Sequence, residues 1–103
     1  MTTPLRKGRD KTLCLRLYVA GESPNSVLAR RNLRAAIAHL GEGEVNLEVV
    51  DVLRNPERGL RDGILVTPTV IRVAPAPERR VIGNLRDRAA LLAGLAIPGV
   101  MDE

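Results

Sequence analysis

Aromatic side chains are almost missing from this chain: Tyr18 stands alone, with no Trp and no Phe. The core must therefore be built from Leu, Val, Ile and Ala, and the stacking platforms on which single-stranded nucleic acid is usually held are not available. One cysteine, Cys14, excludes an internal disulfide and a multi-cysteine metal site. Its place inside an alternating apolar run makes it a small buried hydrophobe rather than a reactive thiol. No apolar run approaches the roughly 20 residues that a membrane helix needs, and the start Met1 to Arg6 lacks the apolar stretch of a secretory signal. A cytoplasmic protein with neither membrane nor nucleic acid as partner is expected. There is no phosphate-binding loop, no paired catalytic carboxylates and no metal-ligand spacing, so no catalytic residue, cofactor or metal is expected either.

What is present is arginine. The net charge of +4 and the isoelectric point near 10.2 come almost wholly from that residue, whose planar fork suits bidentate contact with carboxylates or phosphates. An acidic partner follows. With 103 residues, 45% of them hydrophobic, the chain is one domain. Residues 1–11 read as a basic, solvated arm carrying Arg6, Lys7, Arg9 and Lys11, residues 12–97 as the domain, and residues 98–103 as a short tail.

From Thr12 to Val19 the sequence alternates with period two, which predicts a strand with Leu13, Leu15, Leu17 and Val19 on one face. Ser23 as N-cap and Pro24 at the first helical position open a helix over 24–40, with Val27, Leu33, Ala36, Ile37 and Leu40 as its apolar stripe and Gly41 and Gly43 as its stop. His39, near the C-terminal end, reads as a surface histidine. Val45 to Leu53 is a second strand, apolar on both faces and parallel to the first; Asp51 near its end is a capping or turn carboxylate. Asn55 and Pro56 open a short helix through Asp62, weakened by Gly59 inside it and ended by Gly63. A strand over 70–74, a stiff Pro75-Ala76-Pro77 connection and an antiparallel strand over 79–82 follow. Gly83 and Asn84 then introduce a last helix with Leu85, Ala89, Leu92 and Leu95 at helical spacing, closed by Pro98 and Gly99.

The stretch around which this order is organised is Ile64 to Val73, in which Pro68 stands just before a β-branched strand. Such a proline, facing a Cys-x-x-Cys at the start of the first helix, marks the thioredoxin superfamily. Here Ser23-Pro24-Asn25-Ser26 has the shape of that motif with hydroxyls in place of both sulfurs. The fold class expected is thus a thioredoxin-like α/β domain of order βαβαββα. Disulfide exchange requires a thiolate at the helix start, and Ser23 and Ser26 supply none. The lone histidine is roughly 20 Å along the helix by its 1.5 Å rise per residue, too far to act as a base for either hydroxyl.

Longer blocks carry a more specific resemblance. Leu17-Tyr18-Val19-Ala20-Gly21 before Ser23-Pro24-Asn25-Ser26, Asp51-Val52-Leu53 with Asn55-Pro56, Ile64-Leu65 with Thr67-Pro68-Thr69, Pro75 and Pro77, and Arg80 with Ile82-Gly83 and Leu85 closely resemble the KaiB family of circadian clock proteins. The resemblance implies a non-enzymatic regulator that binds a ring-shaped KaiC-type ATPase, with KaiA or a histidine kinase as further partners where a full clock exists. It also implies a homo-oligomer, tetramer or dimer, and a KaiB-type second fold in which the C-terminal half rearranges. Leu28, Gly63 and Asn84 stand where the family carries a basic residue, a lysine and an acid, so a divergent member in stress adaptation is the alternative, with a thioredoxin-like redox protein behind it. Partner contacts are expected at Arg54, Arg58 and Arg61. The change of fold is expected to pivot at Gly83 and Asn84, with Gly83→Ala favouring the thioredoxin-like, binding-competent form.

Overall fold

The alternation that begins at Leu13 produces strand β1 (Leu13–Val19), and it also decides what each residue touches: Leu13, Leu15, Leu17 and Val19 are buried on one face, and Tyr18 is buried in a separate cluster with Val50 and Ile71. The computed structural model describes residues 12–40 and 45–97; the arm at 1–11, the helix stop at Gly41 and Gly43, Pro98, Gly99 and the tail lie outside the described residues. After β1 come α1 (Pro24–Leu40), β2 (Val45–Asp51), α2 (Pro56–Arg61), β3 (Thr69–Ala74), β4 (Arg79–Ile82) and α3 (Arg88–Leu95). This is the predicted order. The sheet runs β2-β1-β3-β4, with β1 and β2 parallel and the other two pairs antiparallel.

The larger core joins the Leu13 face of β1 to Ala29, Leu33 and Ala36 of α1, to Leu91, Leu92 and Leu95 of α3, and to Val70 and Ile97. Leu17, Leu33, Leu91 and Leu95 are at most 1% exposed; burying each such side chain is worth about 1.5–3 kcal/mol. The smaller core, on the Tyr18 face, is completed by Val52 and Ile64. There Gly59 lets α2 approach the chain closely: a Cβ on it would lie 3.2 Å from Val52 Cγ1. The glycine that weakens α2 by propensity is thus the residue that lets it dock.

The structure departs from expectation at several ends and faces. Strand β2 stops at Asp51 rather than Leu53, because the Asp51 side chain accepts the Leu53 N–H and its carbonyl accepts those of Arg54 and Asn55, folding 52–54 into a turn. The last helix starts at Arg88, not after Gly83, since Asp87 caps it by accepting the Ala90 N–H; Leu85 is buried ahead of it with φ of 63°, and Ala89 is exposed. On α1 the buried face is Ser26, Ala29, Leu33 and Ala36, which turns Val27 outward to 43% exposure. Cys14 is half-buried rather than enclosed, because α2 covers the Tyr18 end of that face and leaves its own end less protected. Arg72 was not singled out by any pattern, yet it is 4% exposed and donates to the carbonyls of Pro77 and Ala96. Its charge thereby sits at the C-terminal end of α3, where a helix favours cations.

Candidate functional site

Pairing of Tyr18 with Thr69 puts Pro68 beside the end of β1, from which the chain runs through a turn into α1. The Thr67–Pro68 peptide is cis, Pro68 is buried, and its carbonyl accepts the Gly83 N–H at 2.9 Å. At the start of α1, Ser26 is fully buried and its Oγ accepts two hydrogen bonds, from the Ala20 N–H at 3.0 Å and from the Ser23 hydroxyl at 2.9 Å. Ser23 therefore reaches along the motif to Ser26. Ser23, Pro24 and Asn25 are exposed, and the Ser26 hydroxyl is engaged in holding the turn. His39 is exposed at the far end of the helix. Among the described residues no cluster of three metal-ligating side chains occurs, and no helix is long and apolar enough to cross a membrane.

The corner between β2 and α2 carries more organised charge. Asp51 Oδ1 accepts the backbone N–H groups of Gly21 and Leu53, each at 3.0 Å, and these bonds, aided by Arg54, hold its pKa below the usual carboxylate range. Glu48 is gripped by Arg58, which donates at 2.6 and 3.1 Å to its two oxygens, and by Arg16 Nε at 2.9 Å. The fork from Arg58, with Arg16 behind it, lowers the Glu48 pKa from 4.5 to about 2. Arg16 reaches on to Asp62 at 3.0 Å, and the Tyr18 hydroxyl also donates to Asp62. Asp62 is depressed by the Tyr18 bond first and Arg16 second, while burial and the same bond push the Tyr18 phenol up.

This network ties α2 to β1 and β2, and it splits the three arginines expected to meet a partner. Arg58 is paired within the chain; Arg54 keeps its side chain 85% exposed, 3.9 Å from Asp51, and Arg61 is exposed. Between α2 and the approach to Pro68 runs an open apolar groove of about 630 Å³, floored by Gly59 and edged by Leu60, Leu65 and Val66. Leu53, Leu60 and Leu65 are exposed by 70%, 81% and 94%. Reading the sequence strand by strand missed Arg16, Tyr18, Glu48 and Asp62 as a set. The signal was there, since setting the two alternating strands side by side puts Arg16 opposite Glu48.

Gly83 has φ of +118°, with nothing within 4 Å of a Cβ built on it. Asn84 is held through both of its oxygens: its carbonyl accepts Asn32 Nδ2 at 2.9 Å, and its Oδ1 accepts the Arg86 N–H at 3.1 Å. An alanine would be strained at Gly83 in this fold, a cost that weighs against the thioredoxin-like form in Gly83→Ala.

A KaiB domain matches residues 16–97. The chain belongs to the KaiB family. It is 48% identical over 85 residues to the circadian clock oscillator protein KaiB of Synechococcus elongatus (strain ATCC 33912 / PCC 7942 / FACHB-805), covering 82% of this chain and 83% of that protein. The KaiB of Gloeothece citriformis (strain PCC 7424) is 47% identical over 85 residues, covering 82% of this chain and 80% of its own length. Among solved structures, the N-terminal domain of Synechococcus elongatus SasA superposes with a TM-score of 0.67 at 24% identity, covering 82% of this chain and 84% of that domain. Oxidised mitochondrial thioredoxin 3 of Saccharomyces cerevisiae gives 0.66 at 17% identity, over 91% and 87%. These two likenesses establish a thioredoxin-like fold for this KaiB-family chain.

Proposed function

We propose that this KaiB-family chain is a non-catalytic regulator that docks on a ring-shaped KaiC-type ATPase through the corner formed by β2 and α2. The observation that carries this reading is the exposure of Leu60, Leu65 and Val66 along one groove, with Leu53, next in the chain to the lining residue Val52, exposed as well; a chain with no partner there has no reason to keep this apolar surface open. Arg54, just before α2 and 85% exposed although 3.9 Å from Asp51, and Arg61 at its end present guanidinium groups to solvent, suited to carboxylates on the partner. Membership of the KaiB family supports the choice of partner. The serines at the motif support a role without thiol chemistry, since Ser26 uses its hydroxyl to hold the turn. In a complete clock KaiA or a histidine kinase would be further partners, and a homo-oligomer with a rearranged C-terminal half would be the resting state in the cytoplasm. In that scheme Gly83 and Asn84 are where the rearrangement is anchored.

The test is co-sedimentation of the full chain with a KaiC-type ATPase, using Leu60→Ser/Leu65→Ser and Arg54→Glu/Arg61→Glu. Arg58 is left intact because reversing it would break the Glu48 pair. Loss of two exposed leucines that docking would bury should weaken binding at least about tenfold, and the arginine pair should also lessen its salt sensitivity. Unchanged affinity in both variants would show that the docking corner is wrongly assigned; no binding by the unaltered chain would reject the partner.

A further inference from the structure

Charge is unevenly matched across this molecule. At the corner of β2 and α2, Arg16, Arg54, Arg58 and Arg61 are set against Glu48, Asp51, Glu57 and Asp62, and four of the six ion pairs among the described residues lie there. The outer face of α1 has no such balance. From Pro24 to Leu40 the helix contains no acidic residue, and Arg31 and Arg34, one turn apart on its exposed side, form no ion pair among the described residues. The bond from Asn32 Nδ2 to the Asn84 carbonyl, 2.9 Å, fastens Asn84 to the same helix, and Arg86 and Arg88, two and four residues further on, are both exposed. The acid in that segment, Asp87, is occupied in capping α3. Ala35 and Ala38 are exposed beside Arg31 and Arg34, so the surface between these side chains is low.

We infer that this face of α1, continued by residues 84–88, is a docking surface for an acidic polypeptide segment, separate from the β2–α2 corner. Each positive side chain on it that we name is an arginine, whose fork takes a carboxylate bidentately. Acids three or four residues apart on a partner helix would match the spacing of Arg31 and Arg34. Single-stranded nucleic acid is a poor fit because the one ring in the chain, Tyr18, is fully buried. An anionic membrane is a poor fit because the strongly exposed leucines that could insert, Leu53, Leu60 and Leu65, lie around α2 and not on α1. The inference does not depend on the ATPase reading.

The probe is fluorescein-labelled poly-L-glutamate of about 20 residues, with a duplex DNA of similar charge as competitor, titrated into the full chain at about 25 and 150 mM NaCl. Anisotropy gives affinity and amide NMR shifts give the footprint. The expected result is salt-sensitive poly-glutamate binding with shifts at Arg31, Arg34 and 84–88, weakened about tenfold or more by Arg31→Glu/Arg34→Glu and less than about threefold by Arg54→Glu/Arg61→Glu. Four results overturn it: no binding at the lower salt, tighter binding of the duplex, shifts confined to residues 1–11, or equal losses from both arginine pairs.

Discussion

Replacing Glu48 by glutamine removes one charge and keeps the shape, which isolates what the carboxylate does between Arg16 and Arg58. Its pKa of about 2, against an ordinary 4.5, would correspond to about 3 kcal/mol if read directly. The side chain is 47% exposed, however, so solvent screens the pairing and roughly 1 kcal/mol is the reasonable magnitude. Because folding depresses this pKa, the contribution is present above about 4.5, the value in the unfolded chain, and is lost as pH falls towards about 2. Urea denaturation of the unaltered chain and of Glu48→Gln should therefore differ by about 1 kcal/mol at neutral pH. The difference should shrink steadily below pH 4.5 and narrow in about 1 M NaCl. Hydrogen exchange should place the weakened amides in α2, the element that Glu48 holds through Arg58. A gap that stays constant across pH and salt would refute the reasoning, since it would show that glutamine perturbs packing rather than charge.

Ser26→Ala should cost about 1 kcal/mol, because it leaves the Ala20 N–H without its acceptor in a half-buried turn; an unchanged melting midpoint would mean that the turn is held otherwise. Gly83→Ala should destabilise this fold by about 1–3 kcal/mol from its φ of +118°, and NMR of the dilute variant should show less of the thioredoxin-like species. An increase in that species would contradict the backbone argument. Insulin reduction with dithiothreitol as the reductant should stay at background, and turnover that vanishes in Cys14→Ser would overturn the reading of the site as redox-inert.

Period-two alternation, a proline after a capping serine and glycines between segments were enough to determine the element order, the parallel pairing of β1 with β2 and the turn before β3, because these signals act within a few residues. The hydroxyl chemistry of Ser23 and Ser26 was equally legible, since no fold can make sulfur from serine. Packing decided the rest. Leu85 looked like a helix residue by spacing, but its burial ahead of Asp87 requires a left-handed backbone that no helix contains. Gly59 looked like a defect until Val52 was placed against it. Arg58 and Arg61 are alike in sequence, and only the parallel register that sets Glu48 within reach neutralises one and leaves the other exposed. Likewise the link from Asn32 to Asn84, 52 residues apart, could not be seen from either segment, because what joins them is the shared core beneath α1 and α3 and not any local preference of the chain.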